Sequence, residues 1–164
     1  MDTVIRRFRS GEEGDLLALF QQSVRQLASR DYSAEQIEAW VLGEPDQSFV
    51  ANWTQRIQRN RPFVIECDSE LAGFADLQPS GLIDQFFISP FFEQRGLGSA
   101  LMRHLVDEAT SIGIARLYAD VSLTAQPLFT RHGFVVVREQ WPMRNGVVLR
   151  NALMVRTQGV PLRD

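Results

Sequence analysis

Glu93-Gln94-Arg95-Gly96-Leu97-Gly98-Ser99 is the stretch on which the reading of this chain turns, because the apolar period changes across it. Before it, Leu82–Ile88 alternates and ends at Pro90, as a strand does. After it, Leu97, Leu101, Leu105, Ala109 and Ile112 recur at helical spacing until Gly113 stops the run. Two glycines between a strand and a helix let the backbone approach a ligand with no Cβ in the way. The helix begins with unpaired N–H groups and a partial positive charge, and Arg95 adds a fork of donors. Together these predict a phosphate or pyrophosphate cradle; a glycine turn that binds nothing is the alternative.

Working outward, Val4–Phe8 reads as a first strand and Asp15–Ala28 as a helix, with Leu16, Leu19, Phe20, Val24 and Leu27 on one face. Ser33 is the expected N-cap of a second helix through Ile37, Trp40 and Val41. Gly43, Pro45 and Asp46 break it before a third helical stretch, Phe49–Arg59. Strands follow at Phe63–Cys67 and Leu71–Leu77, joined by the turn Asp68-Ser69-Glu70. Beyond the glycine loop and its helix come a strand Ala115–Val121, a short helix Ala125–Arg131, a strand Val135–Glu139 and a last strand Val147–Val155. Strand, helix and strand over residues 82–121 imply one right-handed parallel crossover, and the hairpins before it imply antiparallel neighbours. The expected fold is α/β (α+β) with a mixed, mostly antiparallel sheet. One domain spans residues 1–164, with a flexible tail from about 157 to 164.

Composition limits the chemistry. The chain has 164 residues and a formal net charge of −3; all 17 basic side chains are arginine and none is lysine. That removes lysine Schiff-base chemistry and the phosphate loop whose motif ends in lysine. Residues 1–82 carry 8 arginines against 13 acids, and residues 83–164 carry 9 against 7, with no basic run. Such a balance argues against nucleic-acid binding. The single Cys67 excludes an internal disulfide and a cysteine-cluster zinc site, and no metal site is expected. No apolar run approaches the ~20 residues a membrane span needs, and the first residues lack a secretory core, so a cytoplasmic protein is expected.

A dinucleotide-binding loop is one alternative, since Asp120 falls near where a ribose-binding acid would lie. Leu101 occupies its third glycine position, however, and only one crossover is visible. The loop more closely resembles that of the GNAT superfamily of N-acetyltransferases, in which Arg/Gln-x-x-Gly-x-Gly/Ala binds the pyrophosphate of acetyl-coenzyme A. Both glycine positions match at Gly96 and Gly98; Glu93 stands at the usual Arg/Gln site. Leu71–Asp76 and Ile83–Pro90 resemble the family's strands before the loop. Ala125 to Phe134 resembles its segment ending in Gly-Phe, and Tyr32–Trp40 resembles a helical stretch of small bacterial members.

The resemblance implies acetyl-coenzyme A as cosubstrate and a V-shaped splay between two parallel strands that admits its pantetheine arm. Backbone groups of Phe86, Phe87 and Ile88 would pair with that arm, and one N–H would stabilise charge on the thioester oxygen. Glu93, Gln94, Arg95, Gly96, Leu97, Gly98 and Ser99 would hold the pyrophosphate. Ser122 and Phe129 stand where the family often has asparagine and tyrosine, so Phe129 supplies no proton to the departing thiol. A small-molecule or peptide amine would accept the acetyl group directly, with Tyr32 and Trp40 lining its pocket. Asp84 is the candidate general base, its carboxyl expected to be raised by apolar neighbours. A non-catalytic acyl-coenzyme A sensor is the alternative, and a homodimer is one option for assembly. His132 is expected to be a solvated helix-end residue and His104 a surface or packing residue.

Overall fold

The computed structural model describes residues 2–159, in the order β1 (Thr3–Arg7), α1 (Glu13–Leu27), α2 (Ala34–Val41), α3 (Gln47–Asn60), β2 (Phe63–Cys67), β3 (Glu70–Ala75), β4 (Phe86–Ile88), α4 (Leu97–Ser111), β5 (Arg116–Ser122), α5 (Gln126–Arg131), β6 (Val135–Gln140), β7 (Met143–Arg144), β8 (Val147–Val148) and β9 (Asn151–Thr157). Local chemistry sets several boundaries. Ser33 caps α2 reciprocally: its hydroxyl accepts from the Gln36 N–H, and its own N–H donates to the Gln36 side chain. Asp46 caps α3 by accepting from the Phe49 N–H at 2.8 Å.

Strands β1-β2-β3-β4 form one antiparallel sheet and β5-β9-β6 a second, while β7 and β8 make a small hairpin. The two larger sheets touch through a single parallel bridge, Leu82 to Tyr118. The Tyr118 N–H donates to the Gly81 carbonyl at 3.0 Å, and the Ile83 N–H donates to the Tyr118 carbonyl at 2.9 Å. A Cβ at Gly81 would stand 2.0 Å from the Arg116 carbonyl oxygen, so only glycine allows this approach. Past the bridge β4 and β5 have no common ladder, and a V-shaped opening lies between them.

Period-two burial divides the core. Phe63, Ile65 and Cys67 join α4 residues Leu97, Leu101 and Leu105 on one face. Val64 and Phe74 join Leu16, Phe20, Ile37, Trp53 and Ile57 from α1, α2 and α3 on the other. The nucleotide-binding alternative fails here, because no stack of parallel strands exists among the described residues.

Two expected strands are corrected. Leu82–Ile88 is not continuous: the buried Asp76 carboxylate accepts from the backbone N–H groups of Asp84 (3.0 Å) and Gln85 (2.6 Å), taking them from any ladder. Val147–Val155 is likewise two strands, β8 and β9, separated by Leu149 and Arg150. The last strand, β9, ends at Thr157, and residues 160–164 of the expected tail lie outside the described residues.

Candidate active site

The glycine loop sits at the mouth of the V. Gln94 and Gly96 take left-handed φ values of 62° and 75°, and Gly96 begins α4 without any side-chain cap. The first N–H of the helix to find a backbone acceptor is that of Ala100, which donates to Gly96. The N–H groups of Leu97, Gly98 and Ser99 are thus left for a ligand, and a Cβ at Gly96 would meet open space. Gly98 serves packing: a Cβ there would press Leu128 of α5 at 3.1 Å.

A groove of about 380 Å³ runs from this loop along β4, lined among others by Glu93, Gln94, Gly96, Leu97, Gly98, Ser99, Phe86, Phe87, Ile88 and Ser122. The register of β4 explains how it can hold an extended arm. Phe87 faces Phe74 on β3; the adjoining bonds run from the Asp76 N–H to the Gln85 carbonyl and from the Ser89 N–H to the Ala72 carbonyl. Antiparallel alternation therefore spends the backbone groups of Phe87 on β3 and turns those of Phe86 and Ile88 into the V.

Charge at the groove differs from the sequence reading. Arg95 stacks over the Phe92 ring, 5.3 Å from its centroid, and is absent from the groove wall. Arg30 and Arg131 line the groove instead. Arg30 ion-pairs with Glu93; that hydrogen bond, aided by its charge, holds the Glu93 carboxyl below its ordinary range. The positive charge missing from the loop's first position thus comes from the turn after α1, which no pattern around residue 93 could reveal. Phe129 lies beneath the groove, packed edge-on against Phe86 and Phe134. His132 is a correction: it is buried, with its Nε2 3.0 Å from the Ser99 hydroxyl, and burial with nearby arginines pushes its pKa down.

A second, larger cavity of about 800 Å³ opens on the far side of β4. Tyr32, Trp40, Asp84, Gln85, Arg56, Asp120, Arg144 and several aromatic rings line it. Tyr32 stacks edge-on with Trp40, but its hydroxyl is spent, donating to the Arg150 carbonyl and accepting from the Leu123 N–H at 3.0 Å. Trp40, Phe87 and Ser122 line both cavities, so the two meet at the V.

Asp84 is in this cavity, but its expected titration is corrected. Burial pushes its carboxyl up. The two-pronged hydrogen bonds from Arg56 (2.7 and 2.9 Å), that guanidinium's charge, and a bond from Asn60 Nδ2 (2.9 Å) outweigh it and hold the pKa below the usual range. The other carboxylate, Asp120, is exposed and accepts from Gln140 Nε2 at 2.9 Å; it shares the outward face of β5 with Ser122.

A family model described as "Acetyltransferase (GNAT) domain" matches residues 28–151, which contain the loop, the V and most of the residues lining both cavities. The chain belongs to the GNAT acetyltransferase family. This GNAT protein is 31% identical over 136 residues to the uncharacterized N-acetyltransferase YafP of Escherichia coli, covering 83% of each chain. A GCN5-related N-acetyltransferase from Rhodopseudomonas palustris shares its fold with a TM-score of 0.88 over 96% of both chains, at 26% identity. The PaiA N-acetyltransferase of Thermoplasma acidophilum, solved with coenzyme A, reaches 0.71 over 96% of this chain and 99% of its own, at 19% identity, a likeness of fold. The GNAT assignment makes the chain an acetyl-coenzyme A-dependent acyltransferase, and the uncapped start of α4 with its open Gly96 fits that cosubstrate. No helix among the described residues is long and apolar enough to cross a membrane.

Proposed function

We propose that this GNAT protein transfers acetyl from acetyl-coenzyme A directly to a primary amine seated in the 800 Å³ cavity. The observation that carries this is the junction of the two cavities at Trp40, Phe87 and Ser122, where a thioester laid along β4 would meet an amine from the other side. Bound acetyl-coenzyme A supplies an activated acyl carbon. The free N–H groups of α4 and the Arg30 and Arg131 side chains hold the pyrophosphate, and the V-facing backbone of Phe86 and Ile88 pairs with the arm. One of those N–H groups stabilises the negative charge that grows on the carbonyl oxygen.

The amine's lone pair forms the new C–N bond as the C–S bond breaks; the sulfur leaves as thiolate and receives, through water, the second proton that the nitrogen sheds on becoming an amide. Thiols near pKa ~8.5 leave with little help, so Phe129 is no obstacle. Asp84, locked to Arg56, has its charge spent in that ion pair and is too weak a base to receive the proton of an ammonium. We assign that proton to Asp120, which has a single amide partner and lies two residues from Ser122 on one strand face. The site is assigned to the cytoplasm, where a lone buried thiol such as Cys67 stays reduced.

Calorimetric titration tests the cosubstrate: binding is expected in the wild type and clear weakening in Gly96→Glu, and no binding to wild type sinks the proposal. For the base, Asp120→Asn is expected to lower kcat by about a hundredfold with the acceptor's KM little changed, whereas Asp84→Asn lowers the rate less. An Asp120→Asn enzyme with the wild-type kcat removes Asp120 from this role.

A further inference from the structure

The larger cavity holds two guanidinium groups and two carboxylates, and their pairing is unequal. Arg56 is fully engaged with Asp84. Asp120 has the neutral amide of Gln140 as its partner, and Arg144 has neither a hydrogen bond nor an ion pair among the described residues. Arg144 is exposed on its strand yet feels the site: partial desolvation and repulsion from Arg56 lower its pKa, while Asp84 and Asp120 pull the other way. An arginine beside a bound ion pair, with no carboxylate of its own, is placed to receive an anion. Gln85 adds an independent sign of an absent donor, because its side chain is 3% exposed, lines the same cavity, and leaves its oxygen without a partner.

The place of Arg144 is fixed by its element. It sits on β7, joined to β8 through Asn145 and Gly146, both at positive φ as a tight hairpin requires. Asn145 Nδ2 donates to the Ala39 carbonyl and Gln36 Nε2 to the Val148 carbonyl, each at 3.0 Å, so the hairpin's turn and its strand β8 are tied to α2. Arg144 is thereby held at the cavity wall on the α2 side, while Asp120 and Ser122 lie on β5, where Ser122 also lines the groove.

We propose that the acceptor is an amine that also carries a carboxylate, with Arg144 as the anchor of that carboxylate. The inference rests on the acetyl-transfer reading and names its substrate class. The ammonium meets Asp120 and the orphan oxygen of Gln85 next to the V, the carboxylate meets Arg144, and the rings of Trp40, Phe49 and Phe20 take an apolar side chain between them. An amino acid satisfies both charges; a simple alkylamine leaves Arg144 unpaired.

The test uses amino acids and their carboxamides as matched acceptors across small, aliphatic and aromatic side chains, with thiol release as readout. The acid is expected to exceed its amide in kcat/KM by about ten- to a hundredfold, chiefly through KM, as suits one charge-assisted pair. In Arg144→Gln that ratio falls towards one, and Arg144→Lys restores part of it. Equal rates for acid and amide in the wild type, or a ratio unmoved in Arg144→Gln, overturn the inference while leaving acetyl transfer intact. Calorimetry of both ligands into coenzyme A-saturated protein reads the same preference without turnover, and absence of acid-selective binding there also overturns it. Acid-selective binding with no thiol release from acetyl-coenzyme A for any acceptor keeps the Arg144 site and fells the transfer reading instead.

Discussion

At the scale of single residues, charge partners decide roles that residue type leaves open. Glu93 stands where the family resemblance leads one to expect a donor for pyrophosphate, and Arg30 neutralises it from another part of the chain. If Arg30 is divided between Glu93 and a phosphate, Glu93→Gln frees it and is expected to tighten acetyl-coenzyme A binding. Arg30→Gln exposes the carboxylate to the phosphates and is expected to weaken it, each by about three- to tenfold at low salt and less at high salt. Calorimetry at two ionic strengths checks this, and weaker binding in Glu93→Gln contradicts it. Asp76 gives the second case. Burial raises its carboxyl from 3.8 to about 6, the Asp84 charge adding to the rise, while its hydrogen bonds from Gln78, Gln85 and Asp84 oppose it. With the folded value above the unfolded one, the native state binds the extra proton between them. The stabilisation is therefore complete below about pH 4 and lost as pH rises through about 6, roughly 3 kcal/mol in all. Asp76→Asn keeps an acceptor for both backbone N–H groups, with Gln78 turning its amide. Urea unfolding from pH 4 to 7 is expected to show the wild-type advantage over Asp76→Asn shrinking up to about pH 6 and level above it. A constant difference across that range contradicts the assignment.

At the scale of elements, the V depends on one contact between two sheets. Gly81 brings its carbonyl to the Tyr118 N–H and leaves no room for a Cβ beside Arg116. Gly81→Ala, also forced to φ near 95°, is expected to cost about 3 kcal/mol or more in urea unfolding and to abolish acetyl-coenzyme A binding by shifting β5 from β4. A loss below about 1 kcal/mol would show the bridge to be dispensable. The elements best read from sequence were those with a local cause: α4 from its period and its glycine start, and α2 from the Ser33 capping box. Leu82–Ile88 reads as one strand because its side chains alternate, yet Asp76, distant in sequence from Gln85, breaks it with side-chain bonds to the backbone. The β7–β8 hairpin escaped because each strand has two residues, too few for any period to register. Within the site, the glycine loop and the Phe86–Ile88 edge were legible because backbone forms them. Arg30, Arg56 and Arg144 were not, since an arginine on a polar face looks the same whether it meets water or a carboxylate.

At the scale of the whole molecule, the absence of lysine becomes a property of the enzyme. The acidic first half and basic second half of the chain do not separate in space: Arg56 and Asp84 face each other in one cavity, and Arg30 and Glu93 at the groove. Arginine alone carries the positive charge throughout. A guanidinium stays protonated at any working pH and offers no free lone pair to an acyl donor. An enzyme that activates acetyl groups for attack by amines thus carries no side-chain amine of its own to consume them. The chain's α-amino group is the only primary amine the sequence supplies. Intact-mass analysis after long incubation with acetyl-coenzyme A, followed by hydroxylamine to remove esters and the thioester that Cys67 could form, is expected to show at most one added acetyl. Two or more hydroxylamine-resistant acetyl groups would mean that some other nitrogen is acylated, and would refute the inertness assigned to the arginines. With that background limited to one adduct, thiol release beyond one equivalent per chain reports transfer to an added acceptor, as the comparison of acids with amides at Arg144 requires.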